Sequence, residues 1–290
     1  MGKPTIDALD ATLGAVVTDV RLTELDADEW CAIADAFLTH AVLVFPGQHL
    51  TEAEQAAFGA RFGPFEHIFG TSGLIPVSNV DADGHVRAAD DPRTWILRGN
   101  EGWHTDSSYM PIAAKASMLS AHVLPPAGGE TEWADMRAAY DALDVGVKAR
   151  IAPLSAYHSL VYSQAKAGYA PAPGGYGFDV DDPPLRPLVK IHPETARPSL
   201  FIGRHAYGIP GLSDVDSEQL LDELLTFACQ PPRTYRHSWQ VGDLVVWDNR
   251  CVLHRARPYD TTQARVMKHT RIKGNPITEG VAALPGTAAQ

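Results

Sequence analysis

The 290-residue sequence has few cysteines, little positive charge and no long apolar run. Its three cysteines, Cys31, Cys229 and Cys251, have no paired spacing, which argues against a disulfide framework and against a C-x-x-C metal knuckle. No stretch reaches membrane-spanning length, and the first residues lack the apolar core of a signal peptide. A net charge of −11 argues against a nucleic-acid backbone as partner. We therefore expect a cytoplasmic protein that binds neither membrane nor nucleic acid.

The first third of the chain shows helical patterns around one apolar run. Trp30, Ile33 and Phe37 recur at helical spacing, and residues 41–45 then predict a buried strand. Thr51 with Glu54 three residues later is a capping box, which predicts a second helix that ends at Gly63-Pro64. Residues 70–100 are polar and rich in turn formers, so we predict a long loop there.

From about Ala116 the pattern changes to short strands broken by glycine and proline. Two helical patterns, at 135–153 and 217–232, interrupt these strands. The spacing of the strands predicts a β-sandwich or barrel. We expect one domain over 1–290, with a lid or insertion loop at about 165–185. The strand patterns are ASMLSAHVLPP, LRPLVKIHP, PSLFIGRH, YRHSWQVGDLVVWDN and RVMKHTRIKG.

The stretch GWHTDSSYMP, residues 102–111, places His104 and Asp106 two residues apart. In an extended segment, side chains at i and i+2 point the same way, so an imidazole and a carboxylate would converge. These are two of the three ligands of a facial metal site, although an H-x-D triplet alone also occurs by chance in surface turns. His254, which follows a strand and the turn WDNR, is our candidate third ligand.

A second strand after His254 carries candidate counter-charges. Arg265 lies eleven residues later, and a chain reversal through RPYDTT would bring it back towards the metal. Because strand side chains alternate, His269 and Arg271 are expected on the same face as Arg265. We expect Asn249 and Arg250 to tie the turn before His254.

Four ordered motifs, WHTDSSY, GGETEWADMRAAYDAL, HPETARPSL and WDNRCVLHRARPYD with RVM, resemble the taurine/2,4-D dioxygenase family over nearly the whole chain. The resemblance implies a mainly β fold with flanking helices and a double-stranded β-helix (jelly-roll) core. It implies Fe(II) on His104, Asp106 and His254, with O2 and 2-oxoglutarate as cosubstrates. Thr131 and Arg265 would bind 2-oxoglutarate, and no catalytic residue beyond the iron ligands is expected.

Within the family, the runs LRPLVKIHPETARPSLFIGRHAYGIPG and RVMKHTRIKG resemble the aryloxyalkanoate branch, which cleaves phenoxypropionates and 2,4-D. Taurine-type members carry an arginine four residues after the cosubstrate arginine, where this chain has His269. The resemblance implies hydroxylation next to the carboxylate of an aryloxy acid, which releases a phenol with pyruvate or glyoxylate. The expected substrate-binding residues are Arg271, Arg204, His269, Tyr109, His205 and Tyr207.

Three alternatives stay open on the sequence. The same oxygenase chemistry could act on another small carboxylate or on a taurine-like sulfonate, because fold and iron site do not fix the substrate. Two histidines and a carboxylate also form catalytic zinc sites, which allows a hydrolase. A jelly-roll binding protein with a vestigial site is the third. The resemblance also implies a homo-oligomer.

Overall fold

The computed structural model describes residues 3–68, 74–88, 91–169, 177–178 and 182–281. In these ranges the protein is mainly β, with several helices. The strands are β1 Thr5–Ala8, β2 Ala15–Thr18, β3 Val42–Phe45, β4 Leu74–Ser78, β5 Ala114–Val123, β6 Thr131–Asp135, β7 Ser155–His158, β8 Leu185–Pro187, β9 Val189–Ile191, β10 Pro198–Leu200, β11 Ala206–Tyr207, β12 Thr234–His237, β13 Leu244–Asp248, β14 Val252–Ala256 and β15 Val266–Lys273. The helices are α1 Ala27–His40, α2 Glu52–Gly59, α3 Pro92–Gly99, α4 Met136–Ala142, α5 Val145–Ile151, α6 Leu160–Lys166 and α7 Asp214–Ala228.

One seven-stranded sheet has the order β1-β2-β3-β13-β5-β15-β4. Its neighbours pair antiparallel, except that β2 runs parallel to β3. Among the described residues, two three-stranded sheets, β12-β6-β14 and β11-β7-β8, and the β10-β9 pair complete the strand pairing. The order places β13 and β5 at the centre of the large sheet, where both faces are covered.

Side-chain alternation along β13 divides the core into two layers. Leu244 and Val246 pack with Phe37 of α1 and Phe58 of α2 on one face. Val245 and Trp247 point to the other face, where they pack with Trp133 of β6. The rings of Trp133 and Trp247 lie 5.7 Å apart, so the two tryptophans pack the two sheets together. The large sheet is therefore covered by helices on one face and by the β12-β6-β14 sheet on the other.

The second helix begins as predicted and ends earlier. The Thr51 side chain accepts a hydrogen bond from the Glu54 amide, and the Glu54 carboxylate accepts from the Thr51 amide. α2 ends at Gly59, four residues before Gly63, because residues 60–62 continue as a turn that places Phe62 in the core.

The prediction of one long loop over 70–100 is wrong. β4 pairs antiparallel with β15 and extends the large sheet, and α3 follows it. The edge of β15 supplies backbone hydrogen-bond partners that local composition does not reveal. Most of the predicted lid at 165–185 lies outside the described residues, apart from the end of α6, the residues up to 169, 177–178 and the segment that leads into β8.

The Arg186 guanidinium, fully buried, joins three segments that are distant in sequence. Its Nε donates to the carbonyl of Ser108 and its Nη2 to that of Met110, each over 2.6 Å. Its Nη1 donates to the carbonyl of Glu279 over 3.0 Å. Arg186 thus fixes the segment that follows Asp106. No helix in the described ranges combines the length and the apolarity needed to cross a membrane.

Candidate metal centre

Two of the three predicted ligands are joined through their backbones. The His104 amide donates to the His254 carbonyl over 2.9 Å, and the His254 amide donates to the His104 carbonyl over 2.8 Å. This bridge places the two imidazole centroids 4.1 Å apart. Asp106 directs Oδ2 to within 3.7 Å of His254 Nε2. One donor atom of each buried residue lies within 4.8 Å of the donor atoms of the other two, which makes a compact site for a cation.

The protonation states of these residues suit metal binding. Burial lowers the pKa of His104 to about 4 and the pKa of His254 well below its usual range. His104 Nδ1 lies 2.8 Å from the Gly102 carbonyl, which can only accept, so Nδ1 carries the proton and Nε2 keeps its lone pair. Burial opposes ionisation of Asp106, but the Arg271 guanidinium and the nearby imidazoles hold the pKa of Asp106 well below its usual range. Two neutral imidazoles and one carboxylate are the donor set of a facial metal triad.

Arg265 is a buried guanidinium without an acidic partner among the described residues. Its Nη2 donates to the Gly129 carbonyl over 2.9 Å, whereas its Nε has no hydrogen-bond partner there. Burial lowers the pKa of Arg265, so a carboxylate beside it would offset an unfavourable buried charge. The Thr131 hydroxyl accepts from Trp239 Nε1 over 3.0 Å, which leaves its hydrogen available to donate. Each side chain thus has a hydrogen that it can donate to a carboxylate.

Arg271 belongs to a buried ionic cluster beside the metal ligands. Its Nη2 donates to Asp106 Oδ1 over 2.8 Å, and its Nε lies 4.0 Å from Glu66 Oε2. Its Nη1 donates to the Ser107 hydroxyl over 3.1 Å, and that hydroxyl donates to Glu66 over 2.7 Å. Two carboxylates therefore already offset the charge that we expected to bind substrate.

His269 also reaches the ligand carboxylate. Its Nε2 lies 3.5 Å from Asp106 Oδ2, and its ring stacks on Trp247 with centroids 5.8 Å apart. Because His269 and Arg271 both approach Asp106, they share the strand face that alternation predicts. His269 therefore lies beside the metal ligands at the position where taurine-type members carry an arginine.

Arg204, the other predicted substrate cation, has only neutral partners among those described. Its Nη2 donates to Gln164 Oε1 over 3.0 Å, and its Nη1 donates to the Gly99 carbonyl. Burial lowers the pKa of Arg204 to about 10, which still leaves it charged at neutral pH. Its charge disfavours protonation of His104, which indicates that Arg204 lies close to the metal ligands.

The aromatic candidates divide into two groups. The His205 ring lies edge-on to His104, with centroids 5.8 Å apart, and to Tyr109 at 4.9 Å. Burial raises the pKa of Tyr109 to about 12, so its hydroxyl stays protonated. Tyr207 instead stacks on Tyr162 at 4.5 Å, in the β11-β7-β8 region. His205 and Tyr109 thus flank the metal ligands, and Tyr207 is placed against another aromatic ring.

Sequence reasoning missed Glu66 and Ser117, which both contact the ligand segment. The Ser117 hydroxyl donates to Asp106 Oδ2 over 2.7 Å from β5. Alternation along β5 could have placed Ser117 on the inner face. No local signal marks Glu66, because its partners Ser107 and Arg271 are distant in sequence.

A second buried group of possible ligands, His192, Asp248 and Cys251, is already satisfied by protein contacts. His192 Nδ1 accepts from two backbone amides, and His192 Nε2 lies 3.0 Å from Asp248 Oδ2. Arg250 donates to both oxygens of Asp248. This group therefore supports the turn before β14, as predicted for Arg250, and Cys251 is a small buried residue of the core.

Comparison with known proteins agrees with this geometry. The family model of the taurine catabolism dioxygenase TauD, TfdA family matches residues 5–271. The chain is 54% identical over 285 residues to the (S)-phenoxypropionate/alpha-ketoglutarate-dioxygenase of Sphingobium herbicidovorans, covering 96% of this chain and 98% of that protein. It is 52% identical over 281 residues to the enzyme of the same name from Delftia acidovorans, covering 94% and 96%. The crystal structure of AAD-2 with Mn(II) and N-oxalylglycine is 39% identical with a TM-score of 0.88, covering 98% of this chain and all of that one (100%). The chain therefore belongs to the TauD/TfdA dioxygenase family, as its motifs predict.

Proposed function

We propose that this enzyme cleaves the ether bond of aryloxyalkanoic acids, such as dichlorprop and 2,4-D. The chain is a 2-oxoglutarate-dependent dioxygenase, and the observation that carries the substrate proposal is its 54% identity to a phenoxypropionate dioxygenase along nearly its full length. Hydroxylation of the carbon between the ether oxygen and the carboxylate gives a hemiketal or hemiacetal. This product collapses to a phenol and either pyruvate or glyoxylate, while 2-oxoglutarate becomes succinate and CO2.

The residues present fit Fe(II) and 2-oxoglutarate. His104, Asp106 and His254 would hold the metal, because each offers an unprotonated donor atom and the three converge. Thr131 and Arg265 would hold the distal carboxylate of 2-oxoglutarate by donating to it. When bound, iron with 2-oxoglutarate and O2 supplies the oxidant for the substrate C–H bond. The protein's own side chains position the reactants and exclude water.

Charge balance favours Arg204 over Arg271 as the cation for the substrate carboxylate. Arg271 is paired with Asp106 and near Glu66, whereas the described partners of Arg204 are neutral. A substrate carboxylate would therefore offset the charge of the partly buried Arg204, with His205 and Tyr109 beside it. His269 would complete the wall near Asp106, and Tyr207 would lie farther from the reacting atoms.

An anaerobic titration with Fe(II) and 2-oxoglutarate, followed by racemic dichlorprop and O2, tests the proposal. We expect a visible metal-to-ligand charge-transfer band, then phenol and succinate in equal amounts. A band without phenol would overturn the substrate and leave a taurine-like sulfonate or another small carboxylate. Activity that requires zinc and no 2-oxoglutarate would overturn the oxygenase in favour of a hydrolase.

We further propose that the β12-β6-β14 sheet and the large sheet form a double-stranded β-helix within one domain over 1–290. The facing tryptophans Trp133 and Trp247 support this, because they join the two sheets around the metal ligands. We also propose a cytoplasmic homo-oligomer. Sedimentation of the purified protein tests the assembly, and a monomer at micromolar concentration would contradict it.

A further inference from the structure

Asn249 lies in the turn between β13 and β14, buried between the segments that carry the metal ligands. We infer that Asn249 and Ser117 form a hydrogen-bond chain that orients the Asp106 carboxylate for metal binding. Asn249 and Ser117 are positioning residues in this view, because they act on the metal only through Asp106. The inference rests on the proposed metal site.

The orientation of the Asn249 side chain is fixed by its donors. Its Oδ1 lies 3.1 Å from Trp247 Nε1 and 3.3 Å from the backbone amide of Asp106. An indole N–H and a backbone N–H can only donate, so the oxygen must face them. A flipped carboxamide would direct its own N–H groups at both donors. Asn249 Nδ2 must therefore point towards Ser117, which lies 2.8 Å away.

This orientation fixes the direction of the Ser117 hydroxyl. Nδ2 of Asn249 donates to the Ser117 oxygen, so the single hydroxyl hydrogen is directed elsewhere. Asp106 Oδ2, at 2.7 Å, receives it. The chain thus runs in one direction, from the amide through the hydroxyl to the carboxylate.

The Asn249–Ser117 hydrogen bonds and Arg271 together fix the orientation of the Asp106 carboxylate. Arg271 donates to Oδ1 of Asp106, while Ser117 donates to Oδ2, so rotation of the carboxylate plane would break both bonds. Oδ2 is the oxygen that lies 3.7 Å from His254 Nε2. The oxygen on the imidazole side thus receives a neutral donor, and the remote oxygen receives the charged one. A neutral donor withdraws less electron density from a ligand oxygen than a guanidinium does.

Asn249 also ties the ligand segments together through its backbone. The Thr105 hydroxyl donates to the Asn249 carbonyl over 2.7 Å, and the Asn249 amide donates to the Lys115 carbonyl over 3.0 Å. Thr105 lies between His104 and Asp106. One residue thus connects β5, the segment of the first two ligands and the turn that leads to His254.

The test compares Ser117→Ala with Ser120→Ala in the otherwise unchanged chain. Both serines are buried on β5, but Ser120 points to the opposite face and donates to Gln55 Oε1 over 2.6 Å. We measure the affinity for Mn(II) alone by calorimetry, together with thermal unfolding of the metal-free protein. Removal of an outer hydrogen-bond partner of a metal ligand weakens metal binding by about 10- to 100-fold.

We expect Ser117→Ala to weaken Mn(II) binding by about tenfold or more, and Ser120→Ala to leave it unchanged at a similar unfolding temperature. Asn249→Asp, which replaces the donor Nδ2 with an acceptor, should weaken it at least as much. At saturating Mn(II), Ser117→Ala and Asn249→Asp should also alter the electron paramagnetic resonance spectrum of the bound Mn(II). A loss of folding stability alone would not change this spectrum. Wild-type affinity in Ser117→Ala, or equal losses in both serine variants, would overturn the inference. If Asp106→Ala bound Mn(II) as tightly as the wild type, the proposed metal site itself would fail.

Discussion

The Arg271 guanidinium, near the end of β15, lies 2.8 Å from Oδ1 of the predicted metal ligand Asp106 and forms an ion pair with it. Burial of the Asp106 carboxylate carries a desolvation cost, which the attraction to the Arg271 guanidinium offsets. This contact assigns Arg271 to the metal ligand Asp106, which is why we propose Arg204 as the cation for the substrate carboxylate.

Arg271→Gln should therefore lower both the affinity for Mn(II) and the free energy of unfolding. Breaking a buried ion pair by removal of one partner costs about 3–5 kcal/mol in the free energy of unfolding. Urea unfolding of the metal-free protein and Mn(II) calorimetry measure the two effects. Arg197→Gln is the control, because its pair with Asp141 is half exposed and should contribute less than about 1 kcal/mol. A variant with normal Mn(II) affinity and a raised KM for the aryloxy acid alone would show that Arg271 binds substrate.

Arg265→Gln should raise the KM for 2-oxoglutarate about a hundredfold while Mn(II) still binds. The variant would lose the hydrogen bonds from the guanidinium to the 2-oxoglutarate carboxylate, which contribute about 1.5–3 kcal/mol each to binding. Arg257 and Arg265 line one cavity together with Leu97 and Tyr259. Arg257→Gln is the matched control, since Arg257 lies 3.8 Å from an acidic partner, Glu132. An unchanged KM for 2-oxoglutarate in Arg265→Gln would contradict the assignment.

Arg204→Gln should raise the KM for dichlorprop by about 10- to 100-fold, with the KM for 2-oxoglutarate unchanged, because a charged hydrogen bond to the substrate is lost. Initial rates at varied concentrations of each substrate measure this difference. Tyr207→Phe, at the stacked tyrosine pair, should leave both values near wild type. A parallel rise in both KM values for Arg204→Gln would indicate a general distortion of the site.

Stability should fall as the pH is lowered from 7.5 to 5.5, and His158 should account for part of the loss. Burial, together with Arg186 and Lys190, holds the pKa of His158 well below the ordinary 6.5. Below pH 6.5 the unfolded chain therefore binds a proton that the folded protein does not, and each further unit costs about 1.4 kcal/mol.

His158→Leu removes this titration, and with it a ring whose two nitrogens lack hydrogen-bond partners among the described residues. Urea unfolding at both pH values should show a loss smaller by about 1.4 kcal/mol in the variant than in the wild type. Identical losses would mean that His158 takes up its proton as readily in the folded protein as in the unfolded chain.

Local chemistry explains which features the sequence predicted. The Thr51–Glu54 capping box involves neighbours in the chain, so the start of α2 could be identified without knowledge of the fold. Alternation placed His269 and Arg271 on one face of β15. It could not identify Asp106 as their partner, because the Arg271–Asp106 contact joins residues 165 positions apart. β4 was missed for a similar reason, since its partner strand is distant in sequence.

The position of Arg186 bears on how this protein can be altered at its carboxyl end. The same guanidinium holds the carbonyls of Ser108 and Met110, on either side of Tyr109, and the carbonyl of Glu279. A chain shortened before Glu279 would lose one of the three acceptors and leave a buried N–H group of Arg186 without a partner, at a cost of about 1–3 kcal/mol. Any deletion from the carboxyl side should therefore stop after Glu279, because the backbone at Glu279 and the loop that carries Tyr109 share one guanidinium.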